Sequence, residues 1–213
     1  MIQVNSFVFN PFMENTYIVY DDTKEAIIVD PGCYEQEERE VLTNFVDNHD
    51  LKVVRILNTH CHIDHVLGNR FVAEYYNLLP EMSSLEEQQL RAVKLYAPNY
   101  GFHHYEEVED VKIIAPGDQI TFGDSRLDIL FVPGHSPGHL AFVANEEKFC
   151  LGGDVLFKGS VGRTDLPGGD MDVLMESIRT KLYALPSEFM VYPGHGDPTT
   201  VKEEMASNPF CRG

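Results

Sequence analysis

The apolar residues of this chain fall into short runs with strand character, separated by segments in which they recur at helical spacing. The runs that predict strands are residues 2–9, 15–20, 25–30, 53–57, 111–115, 119–122, 126–132, 139–144, 148–152 and 188–192. The segments that predict helices are residues 35–48, the stretch after residue 65, residues 85–97 behind a capping box of Ser84 and Glu87, and residues 172–184. This order predicts an α/β fold with two mixed sheets and helices outside them, in a single domain of residues 1–213.

Four side chains that can bind metal lie directly after the strand at 53–57: His60, His62, Asp64 and His65. Imidazole suits zinc and iron, and a carboxylate adds a charged ligand. Because side chains two apart in an extended stretch point the same way, His60 and His62 can hold one ion together. Asp64 and His65 fall where the chain turns into the next helix, so they face a different point. The spacing therefore predicts two adjacent metal ions.

Further strands also end in residues with metal-binding or supporting chemistry. His135, Asp154 and His195 each follow a predicted strand. Asp30 ends the strand at 25–30, where it either supports a metal-bound histidine or closes an Asx turn before Pro31. Only a fold that brings strand ends together could use these residues jointly.

Composition narrows the function without naming it. The formal net charge is −18, which argues against nucleic-acid binding because such proteins present a basic face. No apolar run of 18 residues is present, so we expect no membrane span. The first residues lack the basic and apolar regions of a signal peptide, so the cytoplasm is the expected compartment. The four cysteines have no paired spacing, and we expect free thiols.

Five motifs, in order, resemble those of the metallo-β-lactamase superfamily: Val29–Gly32, Thr59–His65, Pro133–His135, Gly153–Asp154 and Pro193–His195. The resemblance covers almost the whole chain. It implies an αββα sandwich of four layers with the site at one edge.

The same resemblance implies a set of metal ligands, residue by residue. His60, His62 and His135 would hold one ion, whereas Asp64, His65 and His195 would hold a second, and Asp154 would bridge both. His139 matches no ligand position of the family, and we expect a structural role for it. The implied cofactor is a pair of divalent ions, with zinc as the leading candidate and iron or manganese as the others. Such a pair lowers the pKa of a shared water toward ~7, so hydroxide is the expected nucleophile.

Within the superfamily, the segments 153–157, 162–170 and 192–196 look like those of the short bacterial glyoxalase II-type hydrolases. Glyoxalase II cleaves the thioester S-lactoylglutathione, and Arg163 falls where that enzyme has a basic residue near the thiol. Two departures stand out. Only 18 residues follow His195, so no C-terminal glutathione-binding domain is expected. Asp165 and Asp197 occupy positions where glyoxalase II has tyrosines.

These observations predict a dinuclear metallohydrolase of thioesters that acts on a small-molecule substrate, with Asp64 and Asp154 as catalytic residues and Arg163 as a substrate-binding residue. Three alternatives stay open. Persulfide dioxygenases share the fold and use one iron, although their final motif departs from the Pro-Gly-His found here. A hydrolase of another ester or of a lactone is the second, and a metal-binding module without catalysis is the third. The oligomeric state is not predicted.

Overall fold

The computed structural model describes residues 1–212 of the chain, which form two compact units. Unit 1 comprises Met1–Ile114 and Thr121–Ser125, and unit 2 comprises Ala115–Ile120 and the residues from Arg126 onward. The single domain expected from the sequence stays a prediction. Within residues 1–212, no helix has both the length and the apolar character needed to cross a membrane.

Unit 1 contains a six-stranded sheet in which the strands follow their order along the chain. β1 and β2 form a hairpin, β2 pairs antiparallel with β3, and the pairs from β3 to β6 are parallel. The strands are β1 (Gln3–Phe9), β2 (Glu14–Tyr20), β3 (Glu25–Val29), β4 (Lys52–Leu57), β5 (Pro80–Met82) and β6 (Lys112–Ile113). The parallel arrangement places the ends of β3 and β4 at one edge, which is where α/β sheets place their sites.

Four α-helices belong to unit 1 and cover its sheet with apolar residues. They are α1 (Gln36–Asn48), α2 (Ile63–Val66), α3 (Asn69–Tyr76) and α4 (Glu87–Tyr96). Leu42 of α1, Val72 of α3 and Leu90 of α4 are fully buried in one cluster with Ile28 and Ile56 of the strands. This core fixes the loop between β4 and α2, because both neighbours of that loop are anchored in it.

The second sheet also has six strands, in the order β14-β13-β10-β9-β8-β7. Its strands are β7 (Gln119–Phe122), β8 (Ser125–Phe131), β9 (Leu140–Ala144), β10 (Phe149–Gly153), β13 (Met190–Pro193) and β14 (Thr199–Thr200). A short hairpin, β11 (Leu156–Phe157) with β12 (Ser160–Val161), follows β10. Helices α5 (Met171–Ser177) and α6 (Val201–Ser207) complete unit 2. β10 and β13 run parallel, so Gly153 and Pro193 end side by side.

The predicted α/β class with two sheets is confirmed, but several local predictions need correction. The predicted capping residue Ser84 is displaced by Ser83, whose hydroxyl accepts the backbone N–H of Leu85 and opens a 3₁₀ turn before α4. Strand β5 and helix α6 were not predicted. The helix predicted over 172–184 ends as an α-helix at Ser177 and continues as a π-type turn over Ile178–Leu182.

Candidate metal centre

The loop after β4 carries the histidine cluster of unit 1, as the sequence predicted. His62 occupies the position directly before α2 with an extended backbone, so Asp64 and His65 lie in the first helical turn. His60 and His65 are fully buried, and the His60 ring centroid lies 4.7 Å from that of His62 and 4.2 Å from that of His65. One ring nitrogen of His60 lies within 4.8 Å of one of His62. The structure therefore brings the predicted ligands of this loop together.

Asp30 organises this loop from the end of β3. Its carboxylate accepts the backbone N–H of Thr59 at 2.7 Å, the Thr59 hydroxyl at 2.6 Å and Nδ1–H of His65 at 3.1 Å. Since the Thr59 hydroxyl donates its hydrogen bond to Asp30, its oxygen accepts a hydrogen bond from Nδ1–H of His60 at 3.0 Å. Asp30 thus fixes both imidazoles, one directly and one through Thr59. Of the two alternatives left open for Asp30, the observed hydrogen bonds are those of a residue that supports histidine ligands.

A second buried carboxylate lies behind His65. Glu14 of β2 is fully buried, and its Oε1 lies 3.9 Å from His65 Nδ1. Burial raises the pKa of Glu14 well above its usual range; His65 acts against this shift, whereas Asp30 and Asp64 add to it. A Cβ on Gly32 would collide with the Glu14 carboxylate, so glycine is required there for the close approach. The acidic side chains of Glu14, Asp30 and Asp64 thus crowd around one imidazole, and a bound cation would favour their ionised forms.

Two further side chains hold the backbone of the loop. The Asn10 amide donates to the carbonyl of Asp64 at 3.0 Å and to that of Gly32 at 3.1 Å. The buried carboxylate of Glu86 accepts the backbone N–H of Cys61 at 2.8 Å. Cys61 is fully buried with its thiol against Met82, and it is a free thiol as expected. The backbone of the loop is therefore held at two points between its histidines.

Unit 2 gathers its own three candidate ligands at the ends of its strands. His135 follows β8, Asp154 follows β10 and His195 follows β13. One carboxylate oxygen of Asp154 lies 3.5 Å from Nε2 of His135 and 3.5 Å from Nε2 of His195. A single oxygen at equal distances from two imidazoles is the arrangement expected of a carboxylate that is shared between two sets of metal ligands.

The tautomers of two histidines, His65 and His135, fit a bound cation. A carbonyl and a carboxylate can only accept, so His135 donates Nδ1–H to the Arg163 carbonyl at 2.7 Å, and His65 donates its own to Asp30. In the neutral ring Nε2 then carries the lone pair, and this atom faces Asp154 Oδ2 for His135 and Asp64 Oδ2, at 3.6 Å, for His65. Two acceptors that face each other repel unless a cation lies between them. The donor set of imidazoles and carboxylates fits zinc or iron.

The neighbours of Asp154 show how closely its loop is packed. Its backbone N–H donates to Nε2 of His139, a fully buried residue, at 3.1 Å. His139 therefore positions the backbone of Asp154, in line with the structural role expected of it. A Cβ at Gly162 would collide with the Asp154 carbonyl and lie 3.1 Å from His135 Nδ1, so this residue must be glycine.

Arg163, the predicted substrate-binding residue, is engaged by its own neighbour. Its guanidinium donates from Nε and from a terminal nitrogen to the two oxygens of Asp165, both at 2.7 Å. This interaction lowers the pKa of Asp165 to about 2. Both residues are exposed at the surface. Asp197, the other departure from glyoxalase II, lies 3.6 Å from Lys158.

Four residues that support the loop were not predicted from the sequence: Thr59, Glu14, Glu86 and Asn10. A charged residue at the edge of an apolar run is the signal that could have indicated Glu14, because a carboxylate inside a core needs a partner. Thr59 lies within the quoted motif and directly precedes a predicted ligand. Glu86 and Asn10 come from segments distant in the chain, and no local pattern places them beside the loop.

Comparisons with known proteins agree with this architecture. A family model described as "Metallo-beta-lactamase superfamily" matches residues 9–195. The hydroxyacylglutathione hydrolase GloC of Haemophilus influenzae is 35% identical over 201 residues, which cover 93% of either chain. The mitochondrial persulfide dioxygenase ETHE1 of Bos taurus is 32% identical over 199 residues, 91% of this chain and 70% of that one. The crystal structure of TTHA1623 in a di-iron-bound form superimposes with a TM-score of 0.87 at 35% identity, over 97% of this chain and 100% of the other.

Proposed function

Because the chain belongs to the metallo-beta-lactamase superfamily, we propose that it is a metal-dependent hydrolase of thioesters, of the glyoxalase II type. Net hydrolysis breaks the acyl C–S bond, forms an acyl C–O bond from water, and releases a carboxylate and a thiol. The observation that carries the proposal is the Asp154 oxygen 3.5 Å from Nε2 of both His135 and His195. A persulfide dioxygenase needs one iron and does not need the last of these histidines.

The ligands proposed for the two ions follow the order of the family motifs. His60, His62 and His135 are proposed for one ion, and Asp64, His65 and His195 for the other, with Asp154 shared between them. Divalent ions held there supply Lewis acidity, which favours ionisation of water near neutral pH and polarises a carbonyl group. The identity of the ions stays open between zinc, iron and manganese.

The chain's own groups supply orientation and charge. Asp30 and the Arg163 carbonyl hold Nδ1–H of His65 and His135, so each ring presents the lone pair of Nε2 in a fixed direction. Asp64 is proposed to orient the attacking water, and its backbone is fixed by Asn10. A departing thiolate needs little help from a general acid, because thiols are far more acidic than alcohols. No serine or cysteine nucleophile is part of the proposal.

One experiment separates the proposal from its alternatives. Purified protein is loaded separately with zinc, iron or manganese, its metal content is measured, and release of thiol from S-lactoylglutathione is followed alongside lactone opening and oxygen uptake with glutathione persulfide. Two ions per chain and release of thiol support the proposal. One iron per chain with oxygen uptake would instead establish the dioxygenase, which the similarity to ETHE1 keeps as the second candidate.

A matched pair of variants tests the last histidine. His195→Ala should lower metal content and abolish thiol release, because it removes a proposed ligand beside Asp154. His104→Ala removes an exposed histidine of unit 1 and should change neither. Retention of both ions and normal turnover in His195→Ala would refute the ligand assignment. A small-molecule substrate, a cytoplasmic location and the lack of a nucleic-acid or membrane partner stay predictions of the sequence.

A further inference from the structure

The surface around the unit 2 ligands carries two ion pairs, one beside each histidine. The first is Arg163 with Asp165, and the Arg163 carbonyl is the group that accepts from His135. The second is Lys158 with Asp197, which lies two residues beyond His195. His135 and His195 both approach the same oxygen of Asp154, so each pair is tied by backbone contact or by sequence to a histidine of one cluster. We refer to Lys158, Arg163, Asp165 and Asp197 as the rim.

The rim has no net positive charge. Arg163 makes a two-bond fork with Asp165 at 2.7 Å for each bond, which occupies the face of the guanidinium that would otherwise bind a substrate carboxylate. Lys158 lies 3.6 Å from an oxygen of Asp197. Exposed pairs of this kind contribute little to stability. Their effect on the local field does not require a permanent contact, because both partners lie well within one Debye length, ~8 Å at physiological salt.

A third carboxylate adds to this surface. The backbone N–H of Asp170 donates to the Gly134 carbonyl at 2.7 Å, which places Asp170 beside the His135 loop. Its side chain accepts the backbone N–H groups of Asp172 and Val173 at the start of α5. Asp170 therefore adds a third acidic side chain to the two of the rim, against the two basic side chains Lys158 and Arg163.

From this charge distribution we propose that the site selects thioesters whose thiol portion is neutral or cationic, and discriminates against the anionic glutathione moiety. The inference rests on the proposed function and refines its substrate class. A glutathione thioester carries two carboxylates and one ammonium group, so it approaches the rim with a net negative charge. Asp165 and Asp197 are the specificity-determining residues, because each neutralises the cation that would otherwise receive a carboxylate.

The test uses three thioesters that share an acetyl group and differ in the charge of the thiol: S-acetylglutathione, S-acetyl-N-acetylcysteamine and acetylthiocholine. The metal-loaded protein should hydrolyse the neutral and cationic compounds with kcat/KM at least 10-fold above that for S-acetylglutathione. One unit charge acting over ~7 Å through a partly aqueous medium changes such a ratio about 3- to 10-fold. Asp165→Asn and Asp197→Asn should therefore each raise kcat/KM for S-acetylglutathione about 3- to 10-fold, lower that for acetylthiocholine, and leave the neutral compound unchanged.

Two further variants separate local charge from general effects. Arg163→Ala leaves Asp165 without its cation and should make S-acetylglutathione a still poorer substrate, mainly through KM. Glu188→Gln breaks an ion pair with Lys148 of similar exposure, at the opposite end of β10 and β13, and should change none of the ratios. Equal kcat/KM for all three thioesters, or the same change in Glu188→Gln as in Asp165→Asn, would overturn the inference.

A binding measurement keeps the inference testable if no thioester is hydrolysed, an outcome that refutes the proposed function alone. Binding of the thioethers S-methylglutathione and S-methylthiocholine to the metal-loaded protein is measured by titration calorimetry. The cationic thioether should bind about 10-fold more tightly than the anionic one, and Asp165→Asn should narrow the difference. Tighter binding of S-methylglutathione by the unaltered protein would refute selection by rim charge, whatever the reaction.

Discussion

Replacing Asp30 by asparagine should weaken binding of the ion assigned to His65 by about 10- to 100-fold, the usual cost of altering a group that orients a metal ligand. The reason lies in proton direction. The Asp30 carboxylate accepts from the Thr59 N–H, the Thr59 hydroxyl and His65 Nδ1. An asparagine can keep the first bond through its carbonyl oxygen, but its amide then donates where the carboxylate accepted. His65 must respond by moving its proton to Nε2, and protonated Nε2 cannot bind metal.

The magnitude can be divided into a metal-binding part and a folding part. A 10- to 100-fold loss of affinity corresponds to about 1.4–2.8 kcal/mol. Loss of a hydrogen bond to a charged group costs about 1.5–3 kcal/mol of folding free energy. Removing the charge of Asp30 also removes one of the causes that raise the pKa of buried Glu14. The metal-free variant should therefore unfold at most about 3–12 °C below the parent, since 1 kcal/mol shifts Tm by about 2–4 °C at this chain length.

Asp21 offers a matched control within unit 1. It is as buried as Asp30, and its carboxylate accepts the Thr23 N–H and hydroxyl, the Asp124 N–H and the Ser125 hydroxyl. Asp21→Asn should cost similar stability in the metal-free protein without altering metal affinity. Dissociation constants for both ions come from chelator competition, and Tm values from calorimetry. Unchanged metal affinity in Asp30→Asn, or an equal loss of metal affinity in Asp21→Asn, would show that Asp30 does not control metal binding through the tautomer of His65.

Three other perturbations have defined outcomes. Asp154→Ala should abolish thiol release and reduce metal content, because two cations repel at short range without a shared anion; a variant that keeps both ions and normal kcat shows that Asp154 is not the bridge. Burial raises the pKa of Asp21, but the hydrogen bonds to its carboxylate outweigh burial and bring the pKa below the usual 3.8. The stabilising effect of the Asp21 carboxylate should therefore be full above about pH 4 and vanish as the pH falls through the folded-state pKa. The stabilities of the parent and of Asp21→Asn, measured by urea denaturation, should converge at low pH. Burial raises the pKa of Cys33 and of Cys150 to about 12, so iodoacetamide at pH 8 should leave both unlabelled in the native protein and label both in urea, and rapid labelling of the native protein would contradict their burial.

The sequence predicted the elements that carry their own local signal. The loop after β4 was recognisable because a buried apolar run precedes a dense set of metal-capable side chains, and its placement before α2 is confirmed. The α/β class with two sheets is likewise confirmed, and the similarity to known structures supports the metallo-β-lactamase fold that the motifs implied. Asp30 was identified as a candidate because it ends a strand, but the local pattern could not choose between an Asx turn and support of a metal-bound histidine.

Elements stabilised by distant partners were the ones that the sequence did not predict. Strand β5 has only three residues and begins with proline, so it shows no alternation to recognise. It is held by parallel pairing with β4 and by its central Glu81, whose carboxylate binds Arg55 and Lys112 from the strands on either side. From the sequence alone, an acidic residue such as Glu81 indicates a loop, because its pairing with Arg55 and Lys112 cannot be foreseen. Helix α6 was not predicted for a related reason. Its Glu204 is buried, and the carboxylate accepts hydrogen bonds from Thr199, Gly159 and Asn208.

Arg163 shows why a residue assigned from a motif can act through its backbone as well as through its side chain. Its carbonyl fixes the tautomer of His135, and that bond does not depend on which side chain the residue carries. The guanidinium, by contrast, is bound to Asp165, the position at which this chain departs from the glyoxalase II pattern. Under the proposed function, the motif keeps the geometry of a metal ligand through the Arg163 carbonyl, while Asp165 changes the charge that the substrate would meet. We propose that this separation of backbone and side-chain roles lets the chemistry of a metal centre be retained while its selectivity for the thiol changes.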